Sequence, residues 1–278
     1  MACHLLGDKP LSIYWVLTIM MKAPVIFIPH GGGPMPLLGE PNHLPLVNFL
    51  QNLAVSLTKP KAIIIISAHW ETDLATVTSG AKPDLIYDYS GFPKESYEIK
   101  YPVAGHTELA HKVEALIQAS GMKAKTDFHR GLDHGVFVPL KLMYPNADVS
   151  VVQLSLLNSL DAKKHIELGK SLGQLCDDGI MIIGSGFSFH NMNAFMKNDS
   201  NNQSRSLEFD TWLNQILLSD ELSFKQKQDA LTHWEQGPQA RFCHPREEHL
   251  LPLHVCFGAA TAANLTARNV FDERLLGV

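Results

Sequence analysis

Four cysteines, Cys3, Cys176, Cys243 and Cys256, are all that the 278-residue chain carries, and none forms a CxxC pair. That spacing excludes a zinc ribbon and a disulfide framework, and it fits reduced thiols in a cytoplasmic protein. An excess of basic charge is missing too. Lys and Arg number 23 against 28 Asp and Glu, a net charge of −5 with no dense basic cluster, which speaks against a nucleic-acid partner. The longest apolar stretch, residues 11–21 (LSIYWVLTIMM), is too short to cross a bilayer. It also lacks the basic lead and small-residue cleavage site of a signal peptide, so no membrane partner is expected. Several catalytic signatures are absent as well. There is no GxSxG elbow, no HExxH and no GxGxxG, and no GK[ST] follows the three glycines after His30 to make a phosphate-binding loop of them.

Histidine is abundant, with fourteen in the chain. Three of them follow apolar runs. Residues 61–72 read KAIIIISAHWET, a run suited to a strand buried on both faces that turns abruptly polar at Ser67 and reaches His69. Residues 24–29 (PVIFIP) lead in the same way to His30 and three glycines, and residues 180–186 (IMIIGSG) lead to His190. Open α/β sheets place their ligands at the carboxyl ends of strands, so these three histidines are candidates to converge.

The pattern along the chain is strand alternating with helix. Strands are expected at 25–28, 62–67, 74–78 (at a sheet edge), 149–154 and 180–183. Helices are expected at 42–58, 107–120, 161–176, 206–218, 223–234 and 250–263. Residues 82–105, rich in tyrosine, proline and glycine, read as a functional loop or lid. Residues 127–139 read as irregular and 198–204 as a polar loop. The fold class is a single α/β domain, with a mostly parallel central sheet flanked by helices, over residues 21–278. Residues 1–20 are read as an extension outside the fold, with Met20 or Met21 as the natural start.

Taken singly, His30, His69 and His190 suit metal ligation or packing. His134 in RGLDHGVF suits catalysis or structure, and either His244 or His249 in HPREEHLLPL can complete a metal site. The remaining histidines, His43, His165 and His254 among them, read as solvent-facing or simple polar contacts. Residue spacing alone reaches an α/β metalloenzyme and leaves the ligand set open.

Six segments in order, HGGGPMPLL, SAHWET, GFPKESYEIKYPVAG, GLDHGVFVPLKLMYPNADVSVVQLS, GSGFSFHN and EEHLLPLHVCFGA, resemble the DODA-type extradiol aromatic ring-opening dioxygenases of the class III, LigB-like group. The resemblance implies one divalent metal, Fe(II) for ring cleavage or Zn(II) as isolated, held by His30, His69 and His249. It implies His190 as acid–base residue or further metal contact, and His134 as a second catalytic residue. The substrates implied are O2 and a small aromatic catechol such as DOPA. Trp70, Phe92, Tyr97 and Tyr101 are candidates to wall the ring, and Glu247 or Glu248 to replace or support His249. HGGGP departs from the common HGSP, so a serine near the metal is missing. A zinc-dependent hydrolase, or a non-catalytic binding protein on the same fold, is the alternative.

Overall fold

The computed structural model describes residues 22–195 and 199–272. The proposed extension 1–20 lies outside the described residues. Strand β1 (Val25–Ile28) leads through two short 3-10 turns to helix α1 (Leu44–Ser56). Next come β2 (Ala62–Thr72), β3 (Ala75–Thr78), α2 (Thr107–Ala119), β4 (Ala124–Asp127), α3 (His134–Met143), β5 (Ser150–Leu157), α4 (Ala162–Leu172) and β6 (Ile180–Ser185). The chain closes with α5 (Met192–Phe195), α6 (Ser200–Leu218), α7 (Phe224–Thr232), α8 (Ala240–Cys243) and α9 (Leu251–Ala262). The six strands lie in the order β1-β6-β2-β5-β3-β4. Every neighbouring pair is parallel except β3 with β5, which meet antiparallel at Val77 and Leu154.

Period-two alternation divides the core between the two faces of the sheet. Ile63 and Ile65 pack with Leu46 and Leu50 of α1 and with Val136 and Leu140 of α3. Ile64 and Ile66 face the opposite layer, built from α2, α4 and α9 with Phe209 of α6. All four isoleucines are fully buried, each contributing about 1.5–3 kcal/mol through burial. Both faces being covered explains why β2 reads as an unbroken apolar run rather than an alternating one.

The structure differs from the sequence reading in four places. β3 is not the edge strand, because β4 lies outside it. β4 (AKTD) is short, lysine-bearing and half-exposed, as sheet edges often are, and it carries no alternating signal. Residues 134–143 form a helix although Gly135, Pro139 and two valines disfavour one, since burial along its length outweighs propensity. Ser200–Ser204 belongs to α6: the Asp199 side chain caps it by accepting from Asn201 N–H, and Asn202 is buried. His43, His165 and His254, read as solvent-facing or simple polar contacts, make polar contacts but from fully buried positions. His165, for instance, accepts the Leu157 N–H and faces the Asp161 carbonyl, joining the end of β5 to the start of α4.

Candidate active site

β1, β6 and β2 are consecutive in the sheet, so their carboxyl ends form one rim. His30 stands two residues beyond β1, His69 sits in the last third of β2, and His190 follows β6. His134 opens α3, and His249 stands two residues before α9. These five imidazoles gather in one cluster. From His30, the ring centroids of His69, His134 and His249 are 5.0, 5.4 and 5.4 Å away. His69 lies 4.0 Å from His134 and 5.0 Å from His249. His190 stacks on His249 at 3.3 Å and 16°.

Hydrogen bonding turns the Nδ1 atoms outward. The Ser185 hydroxyl gives its proton to the Gly135 carbonyl, so its oxygen accepts from His30 Nδ1–H at 3.0 Å. That fixes the tautomer and leaves a lone pair on His30 Nε2. The serine missing from the first motif is therefore not needed to orient His30. Asp88 accepts from both the backbone N–H and the Nδ1–H of His134, each at 2.9 Å, and its other oxygen lies 3.7 Å from His69 Nδ1. Glu248 Oε1 lies 3.0 Å from His249 Nδ1 and 3.3 Å from His190 Nδ1. Two carboxylates thus each serve two histidines, the arrangement that steadies metal-ligating imidazoles. Inside the cluster, His30 Nε2 and His69 Nε2 face each other at 3.1 Å. Such a pair can share one proton or one cation.

Electrostatics keep His30, His69 and His249 neutral. Burial, reinforced by the neighbouring imidazoles, holds His30 and His69 well below the usual histidine range. Burial likewise pulls His249 down to about 4 against the upward pull of Glu248. Burial alone would raise Glu248 and Asp88, but hydrogen bonds from His190 and His249, and from His134, hold both below the usual carboxylate range. Behind the site, Asp133 is fully buried and accepts from Ser67 and Gln153, and burial pushes its carboxyl up.

Two glycines permit these approaches. Gly31, at φ +82°, has no room for a Cβ against Pro36, and a Cβ on Gly135 would strike Ser67 Oγ. His43 shapes the same first loop, accepting from Gly32 N–H at 3.0 Å while its Nδ1 faces Glu40.

The aromatic candidates divide. Phe92 and Tyr97 gather around Tyr89, whose ring lies 5.9 Å from His134. Tyr101 is not a pocket residue. It is buried in the core, its hydroxyl donating to the carbonyls of Leu140 and Tyr144, because the end of α3 needs those donors. Trp70 is buried beneath the Arg130 guanidinium, 5.0 Å from its ring centroid. His244 lies away from the metal-type cluster, with its Nε2 on the Ser188 carbonyl at 2.8 Å. A cavity of about 1110 Å³ lies beyond β1 and touches the cluster through Phe187, which packs 4.8 Å from His30.

The family described as catalytic LigB subunit of aromatic ring-opening dioxygenase matches residues 25–275. The chain belongs to the LigB family. It is 40% identical over 264 residues to dioxygenase tasH of Hapsidospora irregularis, covering 87% of this chain and 80% of that protein. It is 40% identical to the 4,5-DOPA dioxygenase extradiol of Beta vulgaris (84% and 85% covered), and 32% identical to the Escherichia coli K12 protein of that name (86% and 85% covered). In fold it matches the crystal structure of uncharacterized protein JW3007 from Escherichia coli K12, at TM-score 0.65 and 30% identity, covering 78% and 82%. This LigB protein is therefore an oxidoreductase of the DODA-type ring-opening dioxygenases, and the relatives' names do not support the hydrolase alternative. LigB dioxygenases depend on a metal, and the site offers donors for one: the histidine nitrogens of His30, His69 and His134 lie within 4.8 Å of one another, as do the donor atoms of His190, Glu248 and His249. No helix among the described residues is long and apolar enough to cross a membrane.

Asp88 and Ser185 escaped the reading of the sequence. Asp88 lies in a loop without period. Ser185 had one signal, a hydroxyl ending an otherwise apolar buried strand.

Proposed function

We propose that the chain cleaves a catechol such as DOPA by extradiol insertion of O2, with one divalent metal held by His30, His69 and His249 and with His190 and His134 acting on the substrate oxygens. The observation that carries this reading is the 3.1 Å separation of His30 Nε2 and His69 Nε2. Two imidazole nitrogens bound about 2.1 Å from one ion, at angles between a right angle and a tetrahedral one, stand about 3.0–3.4 Å apart.

Ring spacing supports His249 as the third ligand. Imidazoles sharing an ion in that way hold their centroids about 4.6–5.3 Å apart. His30, His69 and His249 stand at 5.0, 5.0 and 5.4 Å. His134 crowds His69 at 4.0 Å, closer than co-ligands stand, although its donor atom lies within 4.8 Å of those of His30 and His69, a grouping in which His249 does not stand. The Glu248 hydrogen bonds occupy the Nδ1 atoms of His190 and His249, so that group reads as a carboxylate serving two rings rather than as a second ion site.

Fe(II), when bound, supplies what side chains lack: a shared coordination sphere for catechol and O2 and a route for electrons between them. With its Nδ1–H given to Glu248, His190 holds a lone pair on Nε2 to take a catechol proton, and the depressed carboxylate steadies the imidazolium that results. His134, held through Asp88 in the same manner, faces the site with Nε2 and can accept a hydrogen bond from a substrate hydroxyl or return a proton. Tyr89, Phe92 and Tyr97 offer apolar surface for the ring.

The test is anaerobic reconstitution with Fe(II), then O2 uptake with L-DOPA, catechol, protocatechuate and caffeate. At least one should be consumed with ring opening; no uptake with any of them overturns the reading. His249→Ala should abolish stoichiometric metal, whereas His134→Ala and His190→Ala should keep it while turnover drops roughly 10²–10⁴-fold. Metal loss in His134→Ala, with metal retained in His249→Ala, would exchange their roles.

A further inference from the structure

His244 has no role in the reaction above, yet it is wholly buried. Its ring lies edge-on to Phe209 and Trp234, at 5.6 and 5.9 Å between centroids. One nitrogen, Nδ1, has no hydrogen-bond partner among the described residues, and the other meets the Ser188 carbonyl at 2.8 Å. A carbonyl only accepts, so Nε2 carries the proton. A histidine kept in an aromatic niche with one nitrogen unsatisfied is an expensive way to fill space, so its single strong hydrogen bond calls for an explanation.

That bond belongs to a set. The segment 186–191 carries His190, and the segment 242–249 carries His249. Phe187 N–H donates to the His249 carbonyl at 2.8 Å, His190 N–H to the Cys243 carbonyl at 2.9 Å, and Asn191 Nδ2 to the Phe242 carbonyl at 2.7 Å. His244 supplies the one side-chain donor in this set that comes from the 242–249 side, and it grips Ser188 midway between the two backbone clasps. Phe187 is stacked toward His190 at 6.3 Å and meets His30 edge-on at 4.8 Å, so that loop abuts the cluster.

We infer that His244 is a positioning residue, whose Nε2–H clasps the Ser188 carbonyl so that His190 stays stacked on His249 and shares Glu248 with it. This rests on the reading of His190 as the group that acts on substrate. Phe209 and Trp234 wall the ring edge-on, and the Ser188 carbonyl is the acceptor its Nε2–H meets.

The experiment compares His244→Phe, which keeps the aromatic volume and removes the donor, with His244→Gln, which returns a donor near the same place. Both are made alone and in a His190→Ala background, loaded with Fe(II) and followed by O2 uptake with L-DOPA. His244→Phe should retain its metal and lower kcat roughly 10- to 100-fold with little change in KM. His244→Gln should recover most of that, and His190 amide exchange should quicken in the Phe variant alone. In the His190→Ala background His244→Phe should cause no further loss, because the residue it positions is gone. Wild-type kcat in His244→Phe overturns the inference, as does an equal further loss in the His190→Ala background. Should His244→Phe fail to fold, His244→Leu carries the same comparison. Unimpaired turnover in His190→Ala alone would instead count against the assignment of His190.

Discussion

Asp88 is one carboxylate with two clients, fixed to His134 by two hydrogen bonds from one residue and lying within ion-pair distance of His69. Its negative charge keeps the His134 Nδ1 proton in place and so keeps Nε2 available. Asp88→Asn retains shape but loses charge, and its amide can present a donor where an acceptor is needed. Metal affinity, measured by competition with a chelator, should fall about 10- to 100-fold through His69, as for other residues that orient metal ligands. Turnover should fall further through His134. Affinity and turnover equal to the wild type would show that Asp88 does no more than close its loop. His30, His69 and His190 stood out in the sequence because each follows an apolar run that turns polar. Asp88 was not, since YDYSG has neither period nor apolar run to mark which of its residues turns inward. His249 was separable from His244 only by resemblance to known sequences, and the structure adds the physical reason: one ring faces the cluster and the other an aromatic niche.

At the level of elements, α3 carries the strongest test. It begins at His134 with Gly135 pressed against β2, where a Cβ would meet Ser67 Oγ and crowd His69 and Asp133. Gly135→Ala should therefore destabilise the fold by about 1–3 kcal/mol, although Ala is the better helix former by about 1 kcal/mol elsewhere. It should also loosen metal binding by displacing His69 and the Gly135 carbonyl that holds Ser185. Thermal unfolding and metal titration check both, and a raised Tm would contradict the packing argument. The same helix shows why part of the fold could not be read from sequence. Propensity argues against Gly135, Val136, Val138 and Pro139, whereas burial of eight of the ten residues favours a helix, and only the assembled sheet supplies the surface that buries them. β1, β2 and β6 were readable because a strand buried on both faces leaves an unbroken apolar record. β4 was not, because an edge strand of four half-exposed residues leaves almost none.

Taken whole, the molecule keeps an unusual number of imidazoles neutral inside itself, and this sets how its stability must vary with pH. Burial draws His165 to about 4, His244 to about 3 and His249 to about 4, and it lowers His30, His69 and His254 as well. In the unfolded chain each returns to about 6.5. Between those limits the unfolded state binds more protons than the native one, so stability is complete above pH 6.5 and is lost as pH falls toward 4. For His165 the loss by pH 4 is on the order of 3 kcal/mol, and protonation would also cost it the lone pair that receives Leu157 N–H. Glu248 and Asp88, held below the usual range, add a loss in the same direction at lower pH still, while Asp133, raised by burial, opposes it there. Several such histidines acting together exceed the net stability of an ordinary domain. The metal-free protein should therefore show a steady fall in urea midpoint from pH 7 to pH 5 and should unfold without denaturant before pH 4. Added metal should shift the curve to lower pH, because cation and proton compete for the same Nε2 lone pairs. A midpoint flat between pH 7 and pH 5 would mean that the buried imidazoles gain protons with little penalty, and would remove the electrostatic case for a cluster preset to receive a cation.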